Sequence, residues 1–182
     1  MTNLPSLASL ASQSPETQLR VLDTLFEPSP GLHQLTLPLL ADRHSQWPSY
    51  PALIDAVGHR ISALRSPAER QVLFGILGSH PRLGRAPTNP EHLSDLSKKE
   101  QAQLNTGAEE QAQKLLALNA EYEAKFPGLR FVTFVNGRSR EVIMEEMRQR
   151  MDRADMELEI QETIQAMCDI AKDRARKLQS RI

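Results

Sequence analysis

His80 and Glu100 are the residues whose setting could move a proton, and Arg174 is the one that could clamp an anion. Ser79-His80-Pro81-Arg82-Leu83-Gly84 is followed, twenty residues after its histidine, by Ser97-Lys98-Lys99-Glu100-Gln101. Leu73, Leu77 and His80 fall at i, i+4 and i+7, so the histidine extends the apolar face of a short helix that Pro81 disfavours continuing. The spacing predicts that His80 points inward from a helix end. A histidine in a last helical turn can also simply complement the macrodipole.

Glu100 and Arg174 carry the same ambiguity. Leu104, Ala108, Gln111, Leu115, Leu118 and Tyr122 step by three and four, and four residues back from Leu104 stands Glu100, a carboxylate heading an apolar stripe. Ser97-x-x-Glu100 is also a capping box, which needs the glutamate only for the cap's main-chain N–H. Ile160, Ile164, Met167, Ala171, Arg174 and Leu178 make a second stripe, interrupted by the arginine. Its plain role would be to bury its methylenes and carry its charge out to water. If the helices converge, the three residues would form a partly buried site holding an acid/base group, a hydrogen-bonding carboxylate and a planar cation suited to a carboxylate or ureido group.

The elements that must position these residues are helices. Pro15 to Phe26 reads as a first helix with Ser14 as N-cap, Leu32 to Leu40 as a second, and Pro51 to Ala63 as a third. Ser66, with Glu69 three residues on, caps the helix that delivers His80. Pro81 to Leu96, with two further prolines, predicts a surface loop. Helices follow from about Ser97 to Lys125, over 138 to 155, and from about Met156 with Asp155 as its cap. Arg130-Phe131-Val132-Thr133-Phe134-Val135 is the one run with β character, ahead of an Asn136-Gly137 turn. With no second strand to pair with, it predicts an extended segment between helices, whose main-chain groups need partners. The expected fold is an all-α, single-domain bundle of seven to eight helices with one extended segment near 130–135, preceded by a flexible stretch over residues 1–14.

Composition excludes several classes. The 182 residues are 40% hydrophobic and 25% charged with a formal net charge of −1, so the basic footprint of a nucleic-acid binder is missing. No window offers 18 uninterrupted apolar residues, so no membrane span is expected, and residues 1 to 14 lack the basic region of a signal peptide. One cysteine, Cys168, excludes an internal disulfide and reads as a quiet, partly buried thiol. The five histidines form no close ligand pair, which argues against a metal, and no phosphate-binding glycine loop or nucleophile elbow marks a cofactor.

The motifs in order, His80-Pro81-x-Leu83-Gly84, Ser97-x-x-Glu100-Gln101, Leu118-Asn119-x-x-Tyr122-x-x-Lys125-Phe126, Phe131-Val132 and Ile170-Ala171-x-x-Arg174, resemble the 2-oxo-4-hydroxy-4-carboxy-5-ureidoimidazoline (OHCU) decarboxylases. Leu25-Phe26-Glu27-Pro28-Ser29-Pro30 resembles that family's opening motif, so the likeness spans about residues 20 to 178. It implies a cofactor-free, usually dimeric carboxy-lyase that finishes the conversion of urate to allantoin over a small-molecule ureidoimidazoline substrate. In that likeness His80 is the catalytic histidine and Glu100 its partner. Pro81, Ser97, Gln101 and Arg174 match substrate-binding positions, and Val132, Thr133, Phe134, Val135 and Asn136 match a segment whose main chain meets the substrate. Arg82, Leu129-Arg130 and Gly31 depart from residues common in the family, aspartate, Phe-Pro and tryptophan respectively.

Ser180-Arg181-Ile182 is close to the Ser-Lys-Leu peroxisomal address, which leads to the expectation of a peroxisomal enzyme, or a cytoplasmic one if the tripeptide is only a helix tail. Two other readings keep the fold. One is a non-catalytic helical interaction protein, which needs no pocket joining His80, Glu100 and Arg174. The other is a lyase or hydrolase of another ureide, separable only by substrate profiling.

Overall fold

The computed structural model describes residues 4–42, 44, 47–84 and 109–179. Among these, eight helices and no strand are present: α1 (Leu7–Leu10), α2 (Pro15–Leu25), α3 (Pro30–Ala41), α4 (Tyr50–Ser62), α5 (Pro67–Leu77), α6 (Glu109–Lys125), α7 (Arg140–Arg153) and α8 (Met156–Gln179). The protein is all-α, as its periodicity predicts. Ser97, Glu100, Gln101, most of the expected loop over 81–96 and the tripeptide Ser180-Arg181-Ile182 lie outside the described residues.

Capping explains where the helices begin. The hydroxyls of Ser14, Ser29, Ser49 and Ser139 each accept from the main-chain N–H three residues on, satisfying a donor the helix itself cannot. In α2, α3 and α4 a proline follows within the first two positions, where its missing N–H costs nothing. At α5 the capping box is complete: Ser66 Oγ accepts from Glu69 N at 3.3 Å, and Glu69 Oε2 accepts from Ser66 N at 2.9 Å. Asp155 caps α8 through Leu158 N at 3.0 Å.

The chain forms two compact units, one of Met1–Ile76 with Met167–Ile182 and one of Leu77–Ala166. In the first, α2 packs on α3 and α3 on α4, and the core includes Leu22, Phe26, Leu32, Ile54, Val57 and Ile61. Leu10 of α1 is buried there too, and its carbonyl accepts from Gln18 Nε2. In the second unit α6 packs on α7 around Leu115, Tyr122, Phe126, Phe131, Ile143 and Met147. Tyr122 and Phe131 meet edge to face with centroids 5.4 Å apart, a favoured aromatic geometry.

Residues 131–135 adopt neither helix nor strand. They end in a tight turn in which Asn136 and Gly137 have φ of 44° and 74° and Arg138 N donates to Val135 O at 2.9 Å. Two positive φ values are what Asn-Gly tolerates best.

Candidate active site

His80 does not sit in the helix its spacing points to. α5 stops at Leu77, and a turn through Gly78 and Ser79 carries the chain to His80, because the residue before a proline avoids the helical region. The side chain is nonetheless inside the protein, 4% exposed, with Pro81 half-buried beside it. Its main chain is tied down: Arg130 Nη1 donates to the His80 carbonyl at 3.3 Å.

The residues after His80 are clamped to α6. Arg82 donates through Nε and Nη2 to the two oxygens of Glu123, at 2.5 and 2.6 Å, and Asn119 Nδ2 donates to the Leu83 carbonyl at 3.1 Å. Asn119 and Glu123 are one turn apart, so a single face of α6 holds both contacts. The fork-to-fork pairing raises the pKa of Arg82, the hydrogen bond to Glu123 being the main cause. Gly84 has φ of 73°, and a Cβ there would lie 2.5 Å from Leu115 Cδ2, so the motif's glycine serves both a left-handed turn and a close approach to α6.

The segment expected to meet substrate through its main chain is held by arginines. Arg150 Nη1 donates to Val132 O at 3.1 Å, while Arg138 reaches Phe134 O through Nη2 at 2.5 Å and Val135 O through Nε at 3.2 Å. Phe131, Val132 and Thr133 are buried, Phe134 and Val135 half-buried, and Asn136 exposed. The Thr133 hydroxyl donates to Glu146 at 2.9 Å and accepts from Arg138 Nη2 at 2.8 Å. Below the segment Arg150 donates twice to Glu159 Oε1, at 2.8 and 2.5 Å, and stands 4.6 Å over the Phe131 ring. Tyr122 OH donates to the same carboxylate oxygen at 2.5 Å. Burial acts against the charge of Arg150 most strongly, yet the Glu159 hydrogen bond and charge outweigh it and its pKa is raised. Burial, seconded by Glu159, drives the Tyr122 phenol well above its ordinary range, so it stays a donor.

Arg174 belongs to the other unit and does not carry its charge to water. It is wholly buried, with Nη2 on Glu27 Oε1 at 3.0 Å and Nη1 on the carbonyls of Phe26 and Leu25 at 2.5 and 3.3 Å. The cation thus closes the C-terminal end of α2, where carbonyls lack helical partners. It also joins the opening Leu25-Phe26-Glu27 motif to the last one. Glu27, Arg138, Arg150 and Glu159 were not among the site residues read from sequence. Arg150 follows Met147 by three on an apolar face, a signal that it is buried, whereas its pairing with Glu159 has no sequence signature.

An open groove of about 790 Å³ runs between α6 and α7, lined by residues including Gln111, Lys114, Arg138, Val142 and Glu146. None of the sequence-predicted site residues that are described lines it. Among the described residues no three His, Cys, Asp or Glu side chains could share a metal ion, and no helix is long and apolar enough to cross a membrane. Cys168 is buried and its thiol is pushed up to about 11 by that burial, so it stays protonated near neutral pH.

No curated protein matches the chain. The family model for OHCU decarboxylase, however, matches residues 11–176, from the stretch ahead of α2 nearly to the end of α8 and through every motif on which the resemblance was read. A match of that span shows that the chain belongs to the OHCU decarboxylase family, the carboxy-lyases of urate degradation.

Proposed function

We propose that the protein converts OHCU to (S)-allantoin with a His80–Glu100 dyad and no cofactor. The observation that carries the reading is the family match over residues 11–176, within which His80 is buried and fixed at its main chain. The substrate supplies its own electron sink. The bond to the departing carboxylate breaks as CO₂ leaves, its electron pair forms a double bond to the neighbouring ureido-bearing ring carbon, and that carbon's C=N pair moves onto the ring nitrogen, which takes a proton. The hydroxyl left behind then gives up its proton to become the carbonyl, and a proton arrives at the ureido-bearing carbon. Delivery of that proton to one face by His80, oriented by Glu100, gives one enantiomer. Ser97, Gln101, Pro81 and the main chain of Val132–Asn136 hold the ring and ureido groups. A burial that removes competing water strengthens each such contact.

The homodimer expected from the resemblance and the peroxisomal location read from Ser180-Arg181-Ile182 belong to the same proposal. A reporter carrying those three residues at its end and remaining cytosolic would reject the location.

The decisive experiment generates OHCU in situ from urate with the two upstream enzymes and follows both its decay and the optical activity of the allantoin. Rapid decay to one enantiomer is expected. His80→Ala should lower the rate by roughly 10² to 10⁴, the range for positioned acid–base help. Near-normal turnover in that variant, or racemic product from the intact protein, would overturn the assignment.

A further inference from the structure

Three of the four main-chain oxygens of the 132–135 segment are already taken. Arg150 holds Val132 O and Arg138 holds Phe134 O, two residues on, so alternate peptide groups face the arginines as an extended chain presents them. Arg138 also holds Val135 O, where the Asn136-Gly137 turn brings it back over the segment that precedes it. By contrast, among the described residues none accepts from the N–H groups of Val132, Thr133, Phe134 or Val135, and none donates to the carbonyls of Phe131 or Thr133. Peptide groups inside a protein need partners, and those left over define what a ligand could supply: hydrogen-bond acceptors, with at least one donor.

We propose that Arg138 is a positioning residue that sets the path of this segment and so turns its unused peptide groups towards a ureido- or carbonyl-bearing ligand. The idea rests on the reading that the segment meets substrate. Arg138 makes four contacts with one planar fork: two main-chain carbonyls, the Thr133 hydroxyl, and Glu146 at 2.6 Å. Glu146 also accepts from Thr133 and from Arg150 at 3.2 Å, so one carboxylate locks both arginines and the segment between them. A lysine keeps the charge near Glu146 but cannot span the same set of acceptors. Arg138 is partly exposed, unlike Arg150, so its removal leaves the buried Arg150–Glu159 pair in place.

The test compares the intact chain with Arg138→Met, Arg138→Lys and, as a control, Arg148→Met, whose charge pairs among the described residues only with Glu145 on the same helix. Steady-state decay of in situ OHCU and amide hydrogen exchange of residues 131–135, with and without allantoin as probe, are measured for each. Arg138→Met should raise KM about tenfold with a smaller fall in kcat, because it disorders a binding segment and leaves the reacting groups untouched. Its 131–135 amides should exchange faster and lose the protection that allantoin gives the intact chain. Arg138→Lys should fall between, and Arg148→Met should match the intact protein. A folded Arg138→Met with unchanged KM, or with unchanged exchange over 131–135, overturns the proposal. If that variant does not fold, wild-type KM in Arg138→Lys overturns it. Should the intact chain itself not consume OHCU, the functional reading falls, while exchange in the ligand-free variants still decides whether Arg138 sets the segment.

Discussion

Glu27 and Arg174 show how much one buried charge can depend on another. Both side chains are about 1% exposed, and the arginine also serves two carbonyls at the end of α2. Taking two ions out of water is repaid only while both are present, so removing one partner is far worse than replacing the pair. Glu27→Gln should therefore cost about 3 kcal/mol in urea unfolding, within the range for breaking a buried pair. Glu27→Met combined with Arg174→Met should recover part of that loss, and a strictly additive double variant would show that the pair is not coupled. The same logic separates Arg150, whose neighbours Glu159, Glu146 and Glu162 share its charge, from Arg82, whose pair with Glu123 is half open to water.

Helix starts and close approaches set the positions of whole elements. The capping box at Ser66 fixes where α5 begins, and hence where its end at Leu77 releases the chain into the His80 turn. Ser66→Ala should destabilise the protein by about 1 kcal/mol, the usual cost of losing a serine cap. Thermal unfolding measures it, and a melting temperature unchanged from the parent would mean that α5 does not depend on its cap. Gly31 has a different reason. A Cβ there would meet Val72 Cγ1 at 3.1 Å and Ile76 Cγ1 at 3.3 Å, so α3 and α5 approach closely, and the tryptophan common in the family has no room without a shift of α5 side chains.

Across the whole molecule, titratable groups predict a plateau of stability with two shoulders. Glu162 is held below 4.5, chiefly by its hydrogen bond from Arg153. Burial pushes Asp173 up most, but Lys177 and Arg176 outweigh it and hold its carboxyl below 3.8. Folded values below the unfolded ones add stability that is present above the ordinary carboxylate range and lost as pH falls through the lowered values. Burial raises the Cys168 thiol from 9.0 to about 11 and the Tyr50 phenol from 10.0 to about 12. Their contribution is complete below pH 9 and lost as pH rises through those raised values. Urea midpoints should be level between about pH 5 and 9 and fall on both sides, with Cys168→Ala shallower on the alkaline limb. A midpoint that does not change between pH 9 and about 11 would contradict the burial of both groups.

Local physics makes much of this protein readable in its sequence. Apolar steps of three and four in Leu53, Ile54, Val57 and Ile61, together with Ser14, Ser66 and Asp155 at helix starts, determine the helices, because periodicity and capping act within a few residues. The order of the motifs, from Leu25-Phe26-Glu27 to Ile170-Ala171-x-x-Arg174, is enough to place the chain in its family. What only tertiary structure decides is the use of charges far apart in sequence. Arg174 lies 147 residues from Glu27, Arg82 lies 41 from Glu123, and the carbonyl of Val132 finds Arg150 one helix later. An arginine on an apolar stripe reads alike whether it reaches water or a buried carboxylate. Folding settles which, because desolvation forces each buried cation onto whatever anion or carbonyl the packing brings within reach.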